Sequence, residues 1–369
     1  MEKAKVYFTD FRATFTENLL QKLARLMATA GMDNLPFDGK YVAIKLHFGE
    51  PGNLAFLRPN YARAVADFVR SCGGKPFLTD CNTLYVGGRK NALDHLDTAA
   101  LNGFGPATTG CHVLIADGLK GTDDVVVPIR GGKYLQEARI GRAIMDADIV
   151  ISLTHFKGHE LTGIGGAIKN LGMGSGSRAG KMAMHSAGKP WVDESLCIGC
   201  GSCADVCAHG APVLTDGTSH IDHDRCVGCG RCIGVCPVDA VLHANDEAND
   251  ILNAKLAEYA KAVLDGRPSF HIALVNSVSP NCDCHSENDA PIVPDVGMFA
   301  SLDPVALDRA CTDAVNAQPR LPGTWIDESG DGSIADTMTA AHPDTNWHSQ
   351  LDHAEAIGLG TQQYELIRI

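Results

Sequence analysis

The sequence predicts an α/β protein: a mostly parallel sheet flanked by helices, interrupted by a small cysteine-rich α+β insertion. Three observations carry this. Apolar segments of strand length alternate with segments of helical period from residue 5 to residue 155, the pattern of a parallel sheet with helices on both faces. The alternation stops at a glycine-rich stretch, Gly158 to Gly180, and resumes at Asp246. Between the two lie eight cysteines in two runs of identical spacing. The expected organisation is a first part of the α/β domain over 1–187, an insertion over 188–245, and the second part of the same domain over 246–369.

Residues 5–8 read as the first strand. Thr16 then reads as an N-cap, and Leu19, Leu20, Leu23, Leu26 and Met27 recur at helical spacing up to Gly31. Residues 41–48 form a strand with His47, Gly49 and Glu50 at its end. Residues 60–71 form a helix stopped by Gly73 and Gly74. A strand over 77–79 ends at Asp80, Cys81 and Asn82, and a helix over 89–101 stops near Gly103. A strand over 112–116 ends at Asp117. A short strand over 125–129, a helix over 134–145 and an apolar strand over 148–153, ending at Thr154 and His155, complete the first part. The second part reads as a helix over 246–264, strands over 270–275 and 296–300, and a helix over 304–315. The tail from Pro319, rich in Asp, Gly, Pro and Thr until a helix near 350–357, reads as surface packing.

The insertion is the most specific stretch. Cys197, Cys200, Cys203 and Cys207 have the spacing C-x2-C-x2-C-x3-C, and Cys226, Cys229, Cys232 and Cys236 repeat it. Positions 197 and 226, like 207 and 236, differ by 29, so the motif is written twice in register. Three cysteines at this spacing wrap one side of an iron–sulfur cubane, and in paired sites the fourth serves the other cluster. Gly199, Gly201, Gly228 and Gly230 let the loops tighten. The expected ligand sets are Cys197, Cys200, Cys203 and Cys236 for one [4Fe–4S] cluster, and Cys226, Cys229, Cys232 and Cys207 for a second. Zinc sites favour paired C-x2-C knuckles instead. Residues 188–245 thus resemble the two-cluster bacterial ferredoxin module. Pro237 follows the second run as that motif has it, whereas Ala208 stands at the matching place in the first.

Composition narrows the function classes. The net charge, 31 minus 44 or −13, argues against nucleic-acid binding, which needs a basic face. No apolar run approaches membrane-spanning length, and residues 1–15 lack a signal-peptide core. A cytoplasmic location is expected, in keeping with reduced cysteines.

Ligands of open parallel sheets bind outside the carboxyl ends of the strands. His47, Asp80, Asp117, His155 and the Cys282-Asp283-Cys284-His285 run all fall at or after such ends. Lys169 and His185 belong to the glycine-rich stretch and its continuation. That stretch matches no zinc-protease, phosphate-loop or dinucleotide motif; it is either a hinge into the insertion or part of a site. His155, His159, Lys169 and His185 are the candidate catalytic residues. His47, His155, His159, Cys282, Cys284 and His285 are candidate ligands of one further metal ion, zinc, iron or nickel by their nitrogen and sulfur donors.

Residues 44–49 (Ile-Lys-Leu-His-Phe-Gly), Gly158-His159, residues 165–170 (Gly-Gly-Ala-Ile-Lys-Asn), Lys181 with His185, and residues 303–308 (Asp-Pro-Val-Ala-Leu-Asp) resemble a prokaryotic iron–sulfur family catalogued as domain of unknown function 362, often carrying a ferredoxin insert. The resemblance covers nearly the whole chain. It implies an iron–sulfur protein built on an α/β domain and supplies no substrate.

Two function classes follow. In the first, an oxidoreductase, the clusters exchange electrons with a redox or metal site in the α/β domain, which binds a small-molecule substrate. In the second, a ferredoxin-like carrier or cluster-handling adaptor, the α/β part docks a redox partner protein and turns nothing over itself.

Overall fold

The structure, a computed structural model, describes residues 3–85, 87–185, 189–226, 228, 230–243 and 248–369. One sheet organises it, built from β1 (Ala4–Asp10), β2 (Tyr41–Lys45), β3 (Lys75–Asp80), β4 (Val113–Ile115), β5 (Ile149–His155), β6 (Ser269–Val275), β7 (Gly297–Ser301) and β8 (Tyr364–Arg368). The spatial order is β8-β1-β7-β6-β5-β2-β3-β4. Only β7 runs against its neighbours; the remaining pairs are parallel. All seven residues of β5 are buried, as a central strand covered on both faces requires.

Helices cover both faces. On one side Leu19–Thr29 and Pro59–Ser71 press Leu23, Leu26, Val65 and Val69 onto Ile44, Ile151 and Ile272. On the other, Ala167–Ser175, Asn249–Leu264, Pro304–Asn316 and Trp347–Ala356 pack Ile168, Leu256, Leu307 and Leu351 around Val150, Ala273 and Phe299.

Three expectations need correction, and the glycine-rich stretch, which the sequence leaves open between hinge and site, takes a definite form. The cap of the first helix is Asn18, not Thr16: its side chain accepts the N–H of Leu20 and Gln21, and the Gln21 side chain accepts the Asn18 N–H. Residues 134–145 are not one helix. Glu137–Gly141 is a strand paired with Asp124–Pro128, and only Arg142–Asp146 is helical. Ala138 and Ile140 point inward while Glu137 and Arg139 are exposed, a period of two rather than 3.6. The Glu258 carboxylate accepts the N–H groups of Lys133, Tyr134 and Leu135 just before it, so the chain turns there. The glycine-rich stretch is no loose hinge: it forms the hairpin Lys157–His159 with Gly163–Gly165, then the helices Ala167–Ser175 and Arg178–His185. Nor is the tail mere surface packing. Trp347 and Leu351 are fully buried, and β8 extends the sheet beside β1.

In the cysteine-rich segment, Pro190–Val192 pairs antiparallel with Val241–His243, which brings its two ends together. A hairpin, Pro212–Thr215 with Thr218–Ile221, and two short helices, Ser202–Asp205 and Arg231–Val235, lie between. Among the described residues no helix is long and apolar enough to cross a membrane.

Candidate functional site

The strand order reverses between β2 and β5: from β2 the chain moves outward to β3 and β4, and from β5 it moves the other way to β6. Such a switch point opens a crevice at the carboxyl ends of the two strands. Here it is a basin of about 610 Å³. His47 follows β2 and His155 ends β5. The Asn170 amide ties the two ends together by donating to the carbonyls of Lys45 (3.0 Å) and Leu153 (3.4 Å).

All eight candidate residues of the α/β part, His47, His155, His159, Lys169, His185, Cys282, Cys284 and His285, line this basin. The helix that carries Lys169 is anchored from behind. The buried Asp308 carboxylate accepts the N–H groups of Ala167 (2.6 Å) and Ile168 (2.9 Å). Gly158 donates its N–H to Ser279 O (2.9 Å), which holds the hairpin bearing His159 against the run bearing Cys282.

Cys282 is the electrostatic centre. Cys284 donates its thiol hydrogen to the Cys282 sulfur, and this holds Cys282 well below the ordinary thiol range. Burial opposes the shift, while Lys169, whose Nζ lies 3.0 Å from the sulfur, and His159 reinforce it. Cys284, as the donor beside a buried negative sulfur, is pushed well up. Burial alone would lower the Lys169 ammonium, but the facing sulfurs and Glu160 together hold it above its usual value. The Cys282 sulfur lines the basin with a thiol, an ammonium and an imidazole around it, the electropositive surroundings that favour its thiolate.

The histidines do something other than expected. His155 donates from Nδ1 to Asp283 (2.8 Å) and from Nε2 to the Asn276 carbonyl (2.7 Å). Both partners are acceptors only, so His155 has no lone pair left for a metal. Nδ1 of His159 accepts the N–H groups of Leu161 (3.0 Å) and Thr162 (3.3 Å), which keeps the ring hydrogen on Nε2. His47 is alike: its Nδ1 accepts from Gly49 N (3.0 Å), and burial holds it well below its usual value and neutral. His285 faces Glu160 at 3.2 Å and Glu287 at 3.3 Å; the hydrogen bond to Glu160 lifts it to about 9. None of these four rings presents a free lone pair; of the four, His159 donates to the Cys282 sulfur, while His155 and His285 are taken by carboxylates.

Two groups of ligand-type atoms, sharing Cys284, still have the size of a metal site: those of His159, Cys282 and Cys284 lie within 4.8 Å of one another, as do those of Glu160, Cys284 and His285. A soft ion there would take the two sulfurs of the first group. His159 could join only by reversing its tautomer, at the loss of two backbone hydrogen bonds.

Asp80 lines the basin and is paired with Lys45 (3.0 Å) and Arg89 (3.5 Å). Asp117 does not reach it: its carboxylate accepts from the backbone and amide of Asn82, and burial raises it to about 6. Several lining residues escaped sequence reasoning. Arg89 pairs with Glu50 (2.9 Å) and Tyr85, while Lys45, Lys157, Glu160 and Lys181 add charge. The available signal was position, since Lys45 and Lys157 sit within two residues of strand-end histidines.

The cysteine runs form a second constellation beside the basin. Cys197, Cys200, Cys203 and Cys236 line one small cavity, and Cys207, Cys226 and Cys232 line another; Cys229 lies outside the described residues. The two halves repeat in detail. Cys207 Sγ accepts the N–H of Ala211 and Cys236 Sγ that of Ala240, both four residues on. Gly201 and Gly230, each opening a short helix, both hold φ in the left-handed range, +80° and +67°, where a side chain would be strained. Leu84, a wall of the basin, packs with Met182, Cys203 and Cys232, so the two constellations share a wall.

The model of the family described as domain of unknown function (DUF362) matches residues 42–313. A thylakoid-associated protein of Synechocystis is 30% identical over 164 residues, 42% of this chain and 45% of that relative; the chain thus matches less than half the relative's length. Two solved structures are similar in outline. A Thermotoga maritima structural-genomics protein has 10% identity and a TM-score of 0.44, covering 80% of this chain and 57% of that one. Lactate racemase apoprotein from Thermoanaerobacterium thermosaccharolyticum has 12% identity and a TM-score of 0.41, covering 99% and 83%. Likenesses this distant carry no argument about a reaction.

Proposed function

The chain belongs to the DUF362 family, and from that premise we propose that it is an iron–sulfur oxidoreductase whose reacting centre is the Cys282 thiolate. The observation that carries this reading is the sorting of the cysteine sulfurs. Cys236 joins the cavity of the first run and Cys207 that of the second, the crossed arrangement that paired four-iron clusters need. Backbone N–H groups aimed at Cys197, Cys207 and Cys236 suit sulfurs that carry negative charge. Two [4Fe–4S] clusters, when bound, supply electrons one at a time. The chain's own residues do the rest. Lys169, His159 and Cys284 keep Cys282 a thiolate, Asp283 fixes the orientation of His155, and the wall at Leu84 keeps the two centres adjacent. A reducing compartment, the cytoplasm in our reading, suits both. A second reading, a metal ion on Cys282 and Cys284, is favoured by the cluster of ligand-type atoms there.

One experiment tests both. Anaerobically prepared protein should carry about eight irons and eight sulfides per chain, and iodoacetamide should label Cys282 ahead of the other non-cluster cysteines. A non-cluster metal that disappears in Cys282→Ser and Cys284→Ser would select the metal reading. A chain reconstituted with iron and sulfide that holds only zinc would sink the proposal.

We also read 188–245 as a separately folding insertion, because its ends meet in the Pro190–Val192 and Val241–His243 pair. Deleting 190–243 across a short Gly/Ser linker should leave a cooperative unfolding transition, since closing such a gap depends weakly on linker length. Stability should fall by about 1–3 kcal/mol as Leu84 and Met182 lose their cover. Loss of the transition would mean one shared core.

A further inference from the structure

Nearly every acid of the basin has a cation of its own. Glu50 takes Arg89, Asp80 takes Lys45, Glu160 takes His285, and the Cys282 sulfur takes Lys169. Lys157 shares Asp283 with His155. Lys181 differs: it is 6% exposed, its Nζ donates to the Gly176 carbonyl at 2.6 Å, and among the described residues it makes no ion pair at contact distance, the buried carboxylates of Asp117 and Asp80 attracting it only from further off. A buried ammonium whose one contact partner is a neutral carbonyl still has donors to offer, and an anion in the basin can take them at contact distance.

The surroundings of Lys181 describe that anion further. Lys181 and His185 are one helical turn apart on Arg178–His185, and both line the basin. Facing elements offer hydrocarbon: Leu252 and Leu256, again four residues apart, on Asn249–Leu264, and Met173 on Ala167–Ser175. The combination of one charged anchor and an apolar wall suits a molecule with an anionic head and an apolar body. Phosphate suits it less. The helix N-terminus at the basin that could cradle phosphate, Ala167 with Ile168, is already closed by Asp308.

We infer that the basin binds a small organic carboxylate with an apolar body, its carboxylate held by Lys181 and its body against Met173, Leu252 and Leu256. This rests on the reading of the basin as the reacting site, and it names the class of substrate presented to Cys282.

The test is calorimetric titration of the anaerobic, full-length holoprotein with hexanoate, its neutral isostere hexanamide, and inorganic phosphate. Hexanoate should bind, and hexanamide should bind about tenfold more weakly or not at all, as loss of a charge-assisted hydrogen bond implies. Lys181→Met should weaken hexanoate by a similar factor, with Lys181→Arg restoring most of it. Equal affinity for acid and amide, absence of hexanoate binding, tighter phosphate than hexanoate, or an unchanged Lys181→Met titration would each overturn the inference. The acid–amide comparison uses the unmodified chain, so it stands even where a variant fails to fold. Iron and sulfide measured on the same sample separate the two claims. Full cluster content without hexanoate binding defeats only the carboxylate site. Hexanoate binding without cluster iron defeats the iron–sulfur reading.

Discussion

Cys236→Ala should damage the cluster of the first cysteine run and spare that of the second. The sulfur of Cys236 lines the cavity of Cys197, Cys200 and Cys203, although 33 positions separate it from Cys203 (236 minus 203). Its removal leaves three thiolates for four iron corners, so that cluster should be lost or persist as a three-iron form. Iron should fall from about eight per chain to between about four and about seven. Electron paramagnetic resonance of the reduced variant should lose the spin–spin coupling of a cluster pair and keep the signal of the site held by Cys207, Cys226, Cys229 and Cys232. Cys207→Ala should give the mirror result. If Cys236→Ala instead removes the signal that a Cys226→Ala variant removes, each run serves its own cluster and the crossing is wrong.

Gly158→Ala should open the basin without touching a single group that does chemistry. A Cβ at Gly158 would sit 2.2 Å from the carbonyl oxygen of Pro280 and 2.9 Å from its carbon, both backbone atoms that cannot rotate away. Gly158 has no left-handed φ, so the requirement is space alone. The two segments it holds together bring His159 to Cys282, and prying them apart should break the Gly158 to Ser279 bond as well. The expected loss is about 3 kcal/mol, the upper end of what overpacked buried contacts typically cost, because the clash is with backbone. Preferential iodoacetamide labelling of Cys282 should fall, because displacing the segment that follows Pro280 moves Cys282 away from Lys169 and His159, two of the groups that hold its thiol down. Gly105→Ala is the control: its added Cβ would meet nothing within 4 Å and its φ is −178°, so its denaturation midpoint should match the parent. A Gly158→Ala chain with the parent's midpoint and labelling would remove the close approach from the argument.

Both outcomes depend on contacts between distant parts of the chain, and that marks how far the sequence could be read. The eight residues expected at the α/β site stand after predicted strands or, like Lys169 and His185, in the glycine-rich stretch and its continuation. They meet in one basin because β2 and β5 are neighbours with the strand order reversing between them. Asp117 was picked on the same ground and faces away, towards Asn82. A strand-end position says which edge a side chain occupies and nothing about which partner will claim it.

What the sequence determined by itself was local or repetitive. The alternation of strand and helix, the doubled cysteine spacing and the helix positions follow from periods of two and 3.6 and from a motif copied at a fixed offset. Where two local signals competed, as at 134–145, the period was misjudged, and the Glu258 carboxylate from another helix had a part in the outcome. Only the tertiary structure decided the chemistry of the basin. Whether His155 can ligate a metal depends on Asp283 and the Asn276 carbonyl taking both its nitrogens. Whether Cys282 is a thiolate depends on Lys169, His159 and Cys284 converging on one sulfur. A lone pair or a charge is a property of its neighbours, and apart from Cys284, two residues from Cys282, the neighbours here lie more than a hundred residues away along the chain: 113 between Lys169 and Cys282, 128 between His155 and Asp283.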